Sequence, residues 1–142
     1  MATPGAICAE DKALNDQALV EGERVLSAWQ GPVRVSMPNT APPGAPVSLA
    51  HQNEPQQLDA VFVDVAGAVN VMWVADGGVW QGPMSLTEPG STVPGSTVAL
   101  HHKDGDDQLD VLYSDRNGNV NVLWVQGTDA WSGPVTNSRD KP

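Results

Sequence analysis

The sequence predicts an all-β chain built from repeated units of four antiparallel strands, and three observations carry that expectation. Residues 29–79 and 80–130 align without a gap and are identical at 20 of 51 positions, which marks a duplicated structural unit. In both copies apolar residues alternate with small or polar ones, the period of half-buried strands. The chain is also rich in Gly (14) and Pro (12), and these residues fall between the alternating runs, where tight turns need them.

The repeat is punctuated by one motif. Trp29-Gln30-Gly31-Pro32 opens the first copy, Trp80-Gln81-Gly82-Pro83 the second, and Trp131-Ser132-Gly133-Pro134 a third, unfinished one. The expected organisation is therefore an N-terminal segment over 1–28, a first blade repeat over 29–79, a second over 80–130, and the start of a third with a tail over 131–142. The N-terminal segment allows three readings. Leu14, Ala18, Val25 and Trp29 fall near one helical face, which Gly22 interrupts. A hairpin turning at Glu21-Gly22-Glu23 is the second reading, and a degenerate blade is the third.

Inside each copy the elements follow in order. A short strand is expected after the Trp-x-Gly-Pro motif, Val33–Ser36 or Met84–Thr87. A Pro/Gly loop leads to a second strand, Pro46–His51 or Thr97–His102. The third strand is Leu58–Val63 or Leu109–Ser114. Its turn holds Ala66-Gly67 in one copy and Asn117-Gly118 in the other, and Asn-Gly between apolar runs marks a hairpin because both residues accept positive φ. The fourth strand is Val69–Val74 or Val120–Val125. Four strands in a period of about 50 residues are the signature of a β-propeller blade, whereas sandwich strands need not recur at a fixed spacing. Propellers typically have about 4–8 blades. Two blades leave sheet faces open, so the ring is expected to close by oligomerisation, as a trimer with six blades or a dimer with four.

The net charge of −10 disfavours nucleic acid and insertion at anionic membranes, which need basic patches. No apolar run reaches the length of a membrane helix. No signal peptide is visible in the opening residues, so a cytoplasmic protein, or one released without a visible signal, is expected. The single cysteine, Cys8, allows no internal disulfide and no cysteine-based zinc site.

The run Leu109-Asp110-Val111-Leu112-Tyr113, followed by Asn117-Gly118-Asn119-Val120, Trp124 and Trp131-Ser132-Gly133-Pro134, resembles the repeat of bacterial and fungal β-propeller lectins, the Photorhabdus-type lectins in particular. The short two-blade chain also resembles the small fucose-binding lectins that trimerise into six blades. The resemblance covers about residues 29–136 and implies sugar pockets at or between blades. The Arg/Glu/Trp sugar site of the fucose-binding lectins has no matching positions here.

Candidate ligand residues are those whose chemistry suits a sugar and which recur. Trp73 and Trp124 offer indole faces to the apolar C–H side of a pyranose, with core packing between blades as the alternative. Asn70 and Asn121 stand beside them. His51 and His102 recur at a strand end, with a structural hydrogen bond as the competing role. Asp59 and Asp110 are acceptors for sugar hydroxyls, whereas Asp64 and Asp115 are expected to fix the hairpin turns. Trp29, Trp80 and Trp131 are read chiefly as core. Asp115-x-Asn117-x-Asn119 has the spacing of half a calcium loop but lacks the downstream Glu. No metal, cofactor or catalytic set is expected, since no known nucleophile or phosphate-loop motif occurs. The expected function is a multivalent, non-enzymatic lectin whose partners are a glycan and other copies of itself. The alternative is a propeller scaffold for protein–protein contact, and a hydrolase formed only on assembly is the third reading.

Overall fold

The computed structural model describes residues 28–53 and 56–136, the side chain of Asp104 excepted. The three readings of residues 1–28 fall outside them, apart from Ala28. Contacts divide the chain after Arg34. Residues 28–34 are irregular and exposed.

From Val35 onward, two four-stranded antiparallel sheets follow one another. The first is a meander of β1 (Ser48–Gln52), β2 (Gln57–Val63), β3 (Val69–Ala75) and β4 (Gln81–Ser85). The second repeats it with β5 (Val98–Lys103), β6 (Gln108–Ser114), β7 (Val120–Gln126) and β8 (Ser132–Thr136). A single 3-10 turn, Asp104–Asp106, interrupts the second copy. No α-helix occurs among the described residues. The expected fold of four-stranded blades is thus the observed one.

The sheets are cut differently from the sequence period. The strand after each Trp-x-Gly-Pro motif closes the preceding blade: Met84 pairs with Val71 and Gln81 with Trp73, across a bulge. Val135 and Ser132 repeat this against Val122 and Trp124. The glycine of the motif permits the approach. A methyl group on Gly82 would lie 2.9 Å from the Val71 carbonyl oxygen, and on Gly133 2.6 Å from that of Val122. The following Gly–Pro bonds are cis. The expected strand Val33–Ser36 is correspondingly not a strand.

Each β2–β3 type hairpin is locked by its aspartate, as the sequence led us to expect. Asp64 Oδ1 accepts from the amides of Ala66 (2.8 Å) and Ala68 (2.9 Å), and its Oδ2 accepts from Asn70 Nδ2 at 2.7 Å. Asp115 does the same for the amides of Asn117 and Asn119 and for Asn121. These charge-assisted bonds replace water on groups the turn would otherwise leave bare. We expect Asp64→Ala to lose about 1–2 kcal/mol of stability in urea titrations.

The bonds from Asn121 and the Asn119 amide hold the Asp115 carboxyl below the usual carboxylate range. A lowered folded-state pKa stabilises above the unfolded-state value and loses that effect as pH falls through the folded value. Asp115→Asn is therefore expected to narrow the stability difference between neutral pH and pH about 3, read by denaturation at each pH.

The core lies between the two sheets. Val61, Val63, Val69 and Val71 of the first blade pack on Val98, Val111, Tyr113 and Leu123 of the second, with Trp73, Leu86, Leu100 and Trp131 at the margin. Burial of these branched side chains is the main stabilising term. Ser48 Oγ donates to the Val98 carbonyl at 2.7 Å across the same junction. The loop before β5 also ties the blades together. Gly90 N donates to Ala66 O (2.8 Å) and Thr92 N to Gly67 O (3.0 Å).

Candidate ligand cleft between the blades

The β2–β3 register sets Asp59 directly opposite Trp73, with Ala50 and Gln81 flanking them on β1 and β4. Residues opposed in this way share a face, and here it is the face turned to the second blade. A cleft of about 680 Å³ opens at that edge of the junction. The first blade contributes Gln52, Gln57, Asp59, Val71, Trp73 and the β4 residues that follow. The second contributes the β7–β8 turn, Gly127 to Trp131. Apolar wall with a few fixed polar groups is the usual composition of a small-ligand site.

The polar groups form a chain. Gln57 Nε2 donates to Asp59 Oδ1 at 2.8 Å and to Gln52 Oε1 at 3.2 Å, and Gln52 Nε2 donates to Gly127 O of the second blade at 3.1 Å. Asp59 is only 3% exposed. Its second oxygen, Oδ2, is buried and has no hydrogen-bond partner. Burial pushes its carboxyl above the ordinary range, against the lowering effect of the Gln57 bond. A buried acceptor without a donor costs free energy that a ligand hydroxyl would recover.

The remaining candidates are placed elsewhere or used otherwise. Asn70 and Asn121 are buried, and both ends of each amide are engaged. Asn70 donates to Asp64 and Ala68 and accepts from Ser85 Oγ at 3.3 Å, while Asn121 donates to Asp115 and Asn119 and accepts from Thr136 Oγ1 at 2.6 Å. Their place is the junction of turn and last strand. His102 Nε2 lies 2.7 Å from Asp107 Oδ1, which also accepts from the Asn53 amide at 3.1 Å and so joins the blades. His51 is exposed on a small separate hollow of about 210 Å³ beside Leu58 and Val74. Asp110 and Trp124 repeat the Asp59–Trp73 pairing on the second blade's outer face, and Gln108 Nε2 donates to Asp110 Oδ1 at 2.9 Å.

Sequence reasoning missed Gln52, Gln57 and the place of Trp131 in the cleft wall. Gln57 recurs as Gln108, a signal that was available. Gln52 becomes Lys103 in the second copy, so nothing marked it. Both oxygens of the calcium-like Asp115 are spent on the turn itself.

No protein-family model matches the chain, and no curated protein is significantly similar to it. Among solved structures it is similar to the BP39L lectin from Burkholderia pseudomallei, with 38% sequence identity and a TM-score of 0.73 over 78% of this chain. The chain spans only about a third (31%) of that lectin's length. The likeness to propeller-type lectins expected from the repeat is thereby shown, in sequence as well as in fold.

Proposed function

We propose that this chain is a carbohydrate-binding lectin, without catalytic activity, whose sugar sites lie between adjacent blades. One observation carries the reading: the buried, donorless oxygen of Asp59, set in a cleft whose wall also holds Trp73 and Trp131. A neutral polyol supplies hydroxyl donors on one edge and an apolar C–H face on the other, and the cleft offers the complement of both. The lectin neighbour supports carbohydrate as the ligand class. Asp59 accepts a hydroxyl proton, Gln57 holds Asp59 in place, and Trp73 stacks on the ring.

The finer reading is a multivalent, oligomeric propeller in which blades from several chains close one ring. Shallow sites repeated around a ring gain avidity for arrayed glycans. A glycan array read with labelled protein, followed by calorimetry on the best hit, tests the proposal. Trp73→Ala is expected to weaken sugar binding by about 10-fold or more, the value of one stacked aromatic, with the fold retained by circular dichroism. Absence of any bound glycan at high protein concentration would defeat the lectin reading.

A further inference from the structure

The cleft between the blades is charged in one sense only. Its wall holds two carboxylates, Asp59 of the first blade and Asp129 of the β7–β8 turn, and no lysine, arginine or histidine among the described residues that line it. The two acids differ in origin. Asp59 recurs as Asp110, whereas the counterpart of Asp129 is Gly78. The second carboxylate therefore belongs to this junction and not to the repeat.

The amide beside Asp59 is fully engaged. Gln57 Nε2 has two hydrogens, of which one goes to Asp59 Oδ1 at 2.8 Å and the other to Gln52 Oε1 at 3.2 Å. Asp59 Oδ2 is left buried without a donor, on a residue only 3% exposed. Forming an ion pair ordinarily requires both charges to lose water. Here the fold has already removed it from the carboxylate before a ligand arrives. Burial holds this carboxyl above its ordinary range against the Gln57 bond, and Asp107 adds to the rise while His51 opposes it. A cation at Oδ2 reverses the rise and favours the ionised form.

A hydroxyl offers Oδ2 one hydrogen and brings lone pairs of its own. A primary ammonium offers three hydrogens, no acceptor and a positive charge. Where both charged groups of the wall are acceptors, the ammonium is the better complement, and its bond is charge-assisted at both ends.

We infer that the cleft takes an amino sugar, a pyranose with a free primary ammonium beside its hydroxyls, and that the ammonium sits on Asp59 Oδ2 in the field of Asp129. Resting on the lectin reading above, this assigns the ligand its charge. Trp73 stands directly across from Asp59 in the β2–β3 register, and such pairs have Cβ atoms about 4.5–5.5 Å apart. A ring stacked on the indole therefore brings an edge substituent to the carboxylate. An acetamido sugar loses the charge, and an acidic sugar sets a third carboxylate against the two in the wall.

Methyl glycosides that carry ammonium, hydroxyl or acetamido at one ring position test the charge, each in gluco, galacto and manno form. They are titrated by calorimetry at pH about 6.5, where the amine is protonated. A monovalent ligand keeps the net charge of −10 from gathering a polycation indiscriminately. The ammonium form is expected to bind at least about 10-fold tighter than the other two of the same configuration. Asp59→Asn is expected to bring that ratio to about 1, and Asp129→Asn to lower it about twofold. Binding of neutral sugars with no gain from the ammonium overturns the inference and leaves the lectin reading standing. So does a ratio unchanged in Asp59→Asn, or unchanged in Asp129→Asn where the first variant binds nothing. A wild type that binds no sugar of any kind defeats the lectin reading, and the amino-sugar site with it.

Discussion

Asp59→Asn is expected to make the protein more stable and to remove most of its sugar binding. The physical reason is the state of the carboxylate. Its Oδ1 is held by Gln57, its Oδ2 faces no donor, and burial raises its pKa above the ordinary carboxylate range. A raised folded-state pKa contributes stability that is complete below the unfolded value and lost as pH rises through the folded one. The charged form of this half-satisfied group is therefore held at a cost, because burial disfavours it. Asparagine keeps an acceptor for Gln57 and removes the charge. The expected gain is about 1 kcal/mol at pH 7, or roughly 3–6 °C in melting temperature, shrinking as pH falls toward about 4. Sugar affinity is expected to drop by about 10- to 100-fold, the value of a charge-assisted hydrogen bond to a ligand hydroxyl. Scanning calorimetry and sugar titration on the same sample read both. A fall in melting temperature at pH 7 would mean that the carboxylate serves the fold, and the cleft would lose its argument as a site.

Much of this architecture was legible in the chain because the repeat declares it. The spacing of the tryptophans, the Asn117-Gly118 turn and the alternation around Leu58 and Leu109 lead directly to strands that the structure contains. The phase of the sheets was not legible. Nothing local tells that Gln81–Ser85 pairs backward across a bulge with β3, because that choice is made by backbone approach at Gly82. The site was legible in part. Asp59 and Trp73 come together because antiparallel register puts them opposite one another. Asn70 and His102 share the same repeat signal but are drawn off by Asp64 and Asp107. Recurrence marks a residue that each blade needs, and a turn needs its asparagine as much as a site needs its aspartate. Gln52 escaped notice for the opposite reason: it does not recur, and its role depends on a carbonyl from the other blade.

Gly67→Ala and Gly118→Ala are expected to differ sharply although they alter the same position of the repeat. Both glycines sit in the left-handed region, at φ 80° and 85°, where an L-residue costs about 1–2 kcal/mol. The surroundings separate them. A methyl group on Gly67 runs into the Thr92 carbonyl oxygen and stands 3.4 Å from Gly90 N, whereas on Gly118 it meets nothing within 4 Å. The first substitution therefore also drives off the loop before β5, with its bonds from Gly90 to Ala66 and from Thr92 to Gly67. Gly67→Ala is expected to cost about 4 kcal/mol in urea titration, a large share of a small domain's total of about 5–15. Gly118→Ala is expected to cost only the conformational penalty. Both variants are expected to fold, Gly67→Ala with the markedly lower urea midpoint. Equal stability losses at the two positions would show that the blades do not grip one another through this loop.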